Sequence, residues 1–186
     1  ASKDGKKTIE TAISYLNSKN KPHLLTEIGK ERIRLAGEKV KSEAGLLAQE
    51  LDTGFRVLKI DSTNMEKVYY TPGSYQQSVL STLADNIKPN RTAEDLLFQI
   101  MLDLGILLSS SIQEILVGGK KVYSVADGYL LACFDKNVNS DTVTEIAKRK
   151  PYYAIFRDSS MSDDSVATNF DQIFATYSPT TVRKVL

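Results

Sequence analysis

Apolar and polar positions change period several times along the chain, and each change marks an element. In the first stretch, Lys7 to Glu50, Ile9, Ile13 and Leu16 recur at i, i+4 and i+7, the spacing of one helix face. A second helix is expected from about Thr26, followed by Glu27, although Ile28, Ile33, Leu35, Ala36 and Val40 follow a helical stripe only roughly. "TGFRVLKIDS", Thr53 to Ser62, is dense in β-formers at Phe55, Val57, Leu58 and Ile60 and predicts a strand. A helix followed by a strand is the second half of a βαβ unit. A chain that opens on half a unit is expected to belong to a larger protein. Residues 63–90 are less regular, with a Pro72-Gly73 turn and a short helix expected over "VLSTLADNI", and they predict a linker.

From Arg91 the pattern sharpens. Thr92 precedes a helix as its N-cap, with Asp95 three residues on. Leu96, Leu97, Ile100, Met101 and Leu104 make its apolar stripe, and Gly105 ends it. "IQEILVGGKKVYSV" predicts a hairpin turning at Gly118-Gly119. Asp127-Gly128 turns the chain again into Tyr129 to Phe134, a continuous apolar run suited to a strand buried on both faces. A helix capped by Ser140 and stopped before Pro151, a strand Tyr153 to Phe156, a further helix and a last strand "TVRKVL" complete the series. In that further helix Val166, Phe170, Ile173, Phe174 and Tyr177 are expected to cover the sheet. The fold class is α/β, with a mostly parallel sheet in a small C-terminal domain. The expected organisation is 1–62, 63–90 as linker, and 91–186.

Composition narrows the function classes. Of 186 residues, 41% are apolar and 25% charged, which is ordinary for a globular protein. No run approaches the roughly 18 apolar residues that span a bilayer, and the polar start "ASKDGKKTIE" is no signal peptide. The single cysteine, Cys133, sits in "YLLACF". This excludes a disulfide framework and suits a buried thiol in the cytoplasm. The net charge of +1 argues against a domain that grips DNA by itself. The local exception is "KERIRLAGEKVK". It offers Lys30, Arg32, Arg34, Lys39 and Lys41 as candidate nucleic-acid contacts, against the plainer reading of a solvated helix with internal charge pairs. His23, the sole histidine, follows Pro22 in a turn and has no second histidine with which to share zinc.

The remaining candidate chemistry lies at strand ends. Asp135 closes "LLACFD", and Asp158, Asp163 and Asp164 follow the strand at Tyr153 to Phe156. Asp135, Asp158 and Asp163 at neighbouring strand ends would suit a Mg²⁺-dependent hydrolase or phosphotransferase. The plain alternative is that Ser162 or Asp163 caps the following helix, with the carboxylates complementing its dipole and Arg157 pairing with Asp158. No glycine-rich phosphate loop accompanies the aspartates. Ser159 and Ser160 lack both a G-x-S-x-G setting and a histidine base.

Five blocks in fixed order carry a resemblance: "EIGKERIRLAGEKV" (Glu27 to Val40), "TGFRVLKIDSTN" (Thr53 to Asn64), "RTAEDLLFQIMLDLG" (Arg91 to Gly105), "GKKVYSVADGYLLACFD" (Gly119 to Asp135) and "FRDSSMSDDSVATNFDQIF" (Phe156 to Phe174). Together they resemble the C-terminal third of the modification subunit of type III restriction–modification systems, which are DNA adenine-N6 methyltransferases. The resemblance implies that residues 1–62 are the trailing helices and strand of a Rossmann-like cofactor domain, and that 91–186 are the family's C-terminal domain. It implies a parent that flips an adenine out of the duplex and methylates its N6 from S-adenosylmethionine. That parent would assemble with a second modification subunit and with a restriction subunit. The family's Asp-Pro-Pro-Tyr loop and Phe-x-Gly-x-Gly turn have no counterpart in this sequence. No catalytic, cofactor-binding or metal residue is therefore carried over, and no cofactor is expected to be bound by this segment alone.

Overall fold

A computed structural model describes residues 3–66, 86–157 and 164–186, which fall into two compact units, Ala1–Ile60 and Asp61–Leu186. Expectations that rest on Pro72-Gly73, the helix in "VLSTLADNI", the Arg157–Asp158 pair, Ser159, Ser160, Ser162 and the carboxylates Asp158 and Asp163 lie outside the described residues.

The first unit holds α1 (Lys3–Ser18), α2 (Leu25–Ala44) and a 3-10 turn over Gly45–Glu50. The apolar stripe expected on α1 is buried only at its end: Leu16 is covered, whereas Ile9 and Ile13 are exposed. None of the residues of α2 is buried. The strand expected over Thr53 to Ser62 does not form, and residues 51–61 have no regular secondary structure. β-formers bias a backbone toward extension, but a strand exists only when a neighbour takes its hydrogen bonds. No described residue does so here. This segment does return along α2: Thr53 approaches so closely that a Cβ on Gly37 would meet its side chain at 3.0 Å. Arg34 stacks over Phe55 at 5.8 Å from the ring centroid.

The second unit carries α3 (Ala93–Asp103), β1 (Ile112–Val117), β2 (Lys120–Val125), β3 (Leu130–Cys133), α4 (Ser140–Lys148), β4 (Tyr153–Phe156), α5 (Asp164–Tyr177) and β5 (Val182–Val185). These are the elements that the hydrophobic pattern predicts, in the same order. The sheet runs β1-β2-β3-β4-β5. β1/β2 and β2/β3 are antiparallel, and β3/β4 and β4/β5 are parallel. It is thus mixed, not mostly parallel. The two tight turns force antiparallel neighbours, while the two helical crossovers allow parallel ones. Gly118 (φ +56) and Gly119 (φ +75) take the left-handed conformations that the first hairpin needs. Gly118 also lies against α4, where a Cβ would come within 2.4 Å of Thr142 Oγ1.

Alternation along the strands divides the core into two layers. Val117, Val122, Leu131, Cys133, Ala154 and Phe156 point to the side covered by α4 and α5, where Phe156 meets Phe170 edge-on at 5.1 Å. Tyr123, Val125, Leu130, Ala132 and Ile155 point to the side covered by α3. Of the run Tyr129 to Phe134 expected to be buried, Leu130 to Phe134 are buried, whereas Tyr129 precedes β3 and is exposed. Of the residues expected to bring α5 onto the sheet, Phe170 and Phe174 are buried and Ile173 is partly so, but Tyr177 is exposed, and the side chain of Val166 lies outside the described residues. Both crossover helices, α4 and α5, lie on one face while the strand order advances in one direction. A constant crossover hand requires this arrangement.

Caps set the helix boundaries. Thr92 and Asp95 form a complete reciprocal box: Thr92 Oγ1 accepts from the Asp95 N–H at 3.2 Å, and Asp95 Oδ2 accepts from the Thr92 N–H at 2.8 Å. The cap of α4 is Asn139 rather than Ser140. Asn139 has extended backbone and its Oδ1 accepts from the Thr142 N–H at 3.0 Å, which leaves Ser140 as the first helical residue. The described flanks of the expected linker belong to this unit. Met65 bridges Ile87, and Asn64 Nδ2 donates to the Asp95 carbonyl at 2.8 Å. Arg91 pairs with Asp61 at 2.8 Å.

Candidate nucleic-acid interface

The basic residues singled out in the sequence all lie on α2, but they do not share a face. At 100° per residue, Lys30, Arg34 and Lys41 fall within roughly 40° of one another, and Arg32 and Lys39 lie roughly opposite. Lys30, Arg34 and Lys41 are on the side of Gly37, along which the 53–55 segment returns. Arg32 lines an open groove of roughly 590 Å³ between α1 and α2, with Tyr15, Ile28 and Leu35.

Carboxylates of the same helix answer most of these charges. Lys30 pairs with Glu27, Arg34 with Glu31 at 3.3 Å and Lys39 with Glu43 at 3.8 Å. Hydrogen bonding from Lys30 holds the Glu27 carboxyl below its ordinary range. Glu31 is lowered first by the Tyr15 hydroxyl, which donates to it at 2.8 Å, and also by Arg34. Arg32 and Lys41 have no carboxylate partner among the described residues. The helix carries five basic against four acidic side chains. Its chemistry is that of a self-paired surface helix with two spare cations on opposite sides. Such a helix can touch a phosphate backbone at separate points, but it cannot present a continuous basic stripe.

The aspartate cluster has one member within the described residues. Asp135 stands just past β3, and its Oδ2 accepts from the Lys121 backbone N–H at 2.7 Å. It thereby closes the start of β2. The side chain of Asp164, the first residue of α5, lies outside the described set with Asp158 and Asp163. No group of three metal-ligating side chains converges among the described residues. His23 is exposed and engages Asn17 Oδ1 at 2.6 Å. Cys133 is fully buried, and burial pushes its thiol up to about 11, which disfavours the nucleophilic thiolate at neutral pH. No described helix is long and apolar enough to cross a membrane.

The sequence reading missed one surface. Tyr129 and Tyr152 stack at 5.0 Å with their rings 6° from coplanar, and Tyr153 meets both edge-on. The tyrosines are far apart in sequence. They meet because the parallel register pairs Leu130 with Tyr153, which places Tyr129 and Tyr152 together just before the two strands. The only available signal was that each stands immediately before an apolar run.

No protein-family model matches this chain, and no curated protein matches it.

Proposed function

We propose that this chain is the C-terminal, non-catalytic region of a type III restriction–modification DNA methyltransferase subunit. The parent transfers a methyl group from S-adenosylmethionine to adenine N6. This region completes the cofactor sheet and provides a surface for assembly with the second modification subunit and the restriction subunit, or for contact with the DNA backbone. The observation that carries the reading is the order of the five resembling blocks along nearly the whole chain.

The character of residues 1–60 supports it. In a strand Phe55 and Val57 would fall on one side, and Leu58 and Ile60 on the other. A strand with apolar side chains on both sides suits the interior of a parallel sheet covered by helices. Here all four are exposed and their backbone is unpaired among the described residues. α2, along which this segment returns, likewise buries none of its residues. The Rossmann-like sheet of the methyltransferase is the partner that would cover them.

The reading frame upstream of Ala1 in the source genome tests this. Asp-Pro-Pro-Tyr followed by Phe-x-Gly-x-Gly in the same frame is the expected result. An in-frame stop or a frame that lacks both motifs would overturn the proposal.

A further inference from the structure

The tyrosine pair belongs to a site of its own in the second unit. An open cavity of roughly 730 Å³ lies over the β1–β3 side of the sheet that α4 leaves uncovered, within the range of about 300–1,000 Å³ usual for ligand sites. Tyr129 and Tyr152 form one wall, 43% and 51% exposed. Arg149 and Lys150, at the carboxyl end of α4, form another. Neither is ion-paired with a described residue. Gln113 and Ser124, opposite one another in the β1/β2 register, face the cavity, and their side chains bond no described residue.

The backbone around this cavity is held in an unusual state. Five described non-glycine residues are left-handed. Asn20, Asn137 and Asp127 are of the type that tolerates it. The other two, Ala126 (φ +49) and Lys150 (φ +53), both line this cavity. At Lys150 the conformation ends α4 where glycine is the usual residue, so the chain retains a cation there at a conformational cost.

We propose that this cavity binds an unpaired nucleotide of single-stranded nucleic acid. The base stacks on the outer face of the Tyr129–Tyr152 pair. Arg149 and Lys150 hold the adjacent phosphodiester, and Gln113 and Ser124 meet the base edge. Aromatic stacking next to cations that track a backbone is the chemistry by which single strands are held. The charge balance selects a diester. The two cations share the cavity lining with the single carboxylate of Asp127 and with the roughly half-negative end of α4, which leaves a small positive excess suited to a singly charged phosphate and not to a triphosphate. A duplex keeps its bases stacked and cannot offer one to the tyrosines. This inference rests on the second unit alone and is independent of the methyltransferase reading.

Fluorescence anisotropy of the full chain tests it, with labelled oligothymidylate and oligouridylate about 15 nucleotides long as probes and a duplex of equal length for comparison. Single strands are expected to bind more tightly than the duplex. Tyr152→Ala should weaken binding about tenfold or more, while Tyr152→Phe, which keeps the ring, should retain it. Lys150→Gly removes the cation at a position where glycine is unstrained, so the fold is kept. It should weaken binding and lower the salt slope by about 0.7. Saturable binding of neither strand would overturn the proposal. So would duplex binding as tight as single-strand binding, or single-strand binding that survives both Tyr152→Ala and Lys150→Gly.

Discussion

Individual side chains in the second unit do identifiable work. Thr92 satisfies an otherwise unpartnered N–H at the start of α3, so Thr92→Ala should cost about 1 kcal/mol in urea unfolding. Its partner adds a pH dependence. Hydrogen bonds from Thr92, the backbone N–H first, hold the Asp95 carboxyl below its ordinary 3.8. A group with a lowered folded pKa contributes stability that is complete above the unfolded pKa and is lost as pH falls through the folded one. The stability gap between the natural chain and Asp95→Ala should therefore be open at pH 7 and should narrow below about pH 4. An equal gap at both pH values would contradict this. Cys133 gives a third expectation. With its thiol raised to about 11 and fully buried, it should react with a disulfide reagent only after urea unfolds the chain. Gly118→Ala combines a positive φ with a 2.4 Å approach to Thr142, and should destabilise by about 2 kcal/mol or more in the same unfolding assay.

Elements were legible where their signals were local. The Gly118-Gly119 and Asp127-Gly128 turns, the unbroken run of β3 and the Thr92 cap each lie within a few residues, and the structure places each element where those signals do. The strand expected at Thr53 to Ser62 was not legible, because strand identity depends on a neighbour that local sequence does not contain. The mixed direction of the sheet, by contrast, was implicit in two tight turns followed by two helical crossovers. For α2 the run of basic letters concealed the geometry: counted in 100° steps, Arg32 and Arg34 fall on different sides. Arg32→Glu and Arg34→Glu should accordingly not act alike on duplex DNA binding. The residue that faces the phosphates should weaken affinity and flatten its salt dependence by about 0.9 per contact, while the other should leave both unchanged. Equal effects would contradict the two-sided arrangement. The tyrosine shelf was hidden for the same reason as the missing strand, since the β3/β4 register creates it.

At the scale of the whole molecule the two units differ in kind. Residues 61–186 bury two apolar layers against a five-stranded sheet, enough for an independent cooperative domain. Phe156 lies deep in one of these layers, and Phe156→Ala should cost about 3–5 kcal/mol. Residues 1–60 have Leu16 as the buried apolar side chain among those described, and leave apolar positions of both helices and of the following segment exposed. Helices without a packed face are marginal in water, whatever their propensity. The first unit leaves these apolar positions uncovered, and its proposed place beside a cofactor sheet would cover them. Hydrogen exchange of the full chain, read segment by segment, tests this contrast most directly. Amides of β2, β3 and β4 should exchange slowest, with protection set by global unfolding, while those of α1 and α2 should exchange orders of magnitude faster. Protection of α1 and α2 equal to that of β3 would contradict the account and make residues 1–60 a folded domain in their own right.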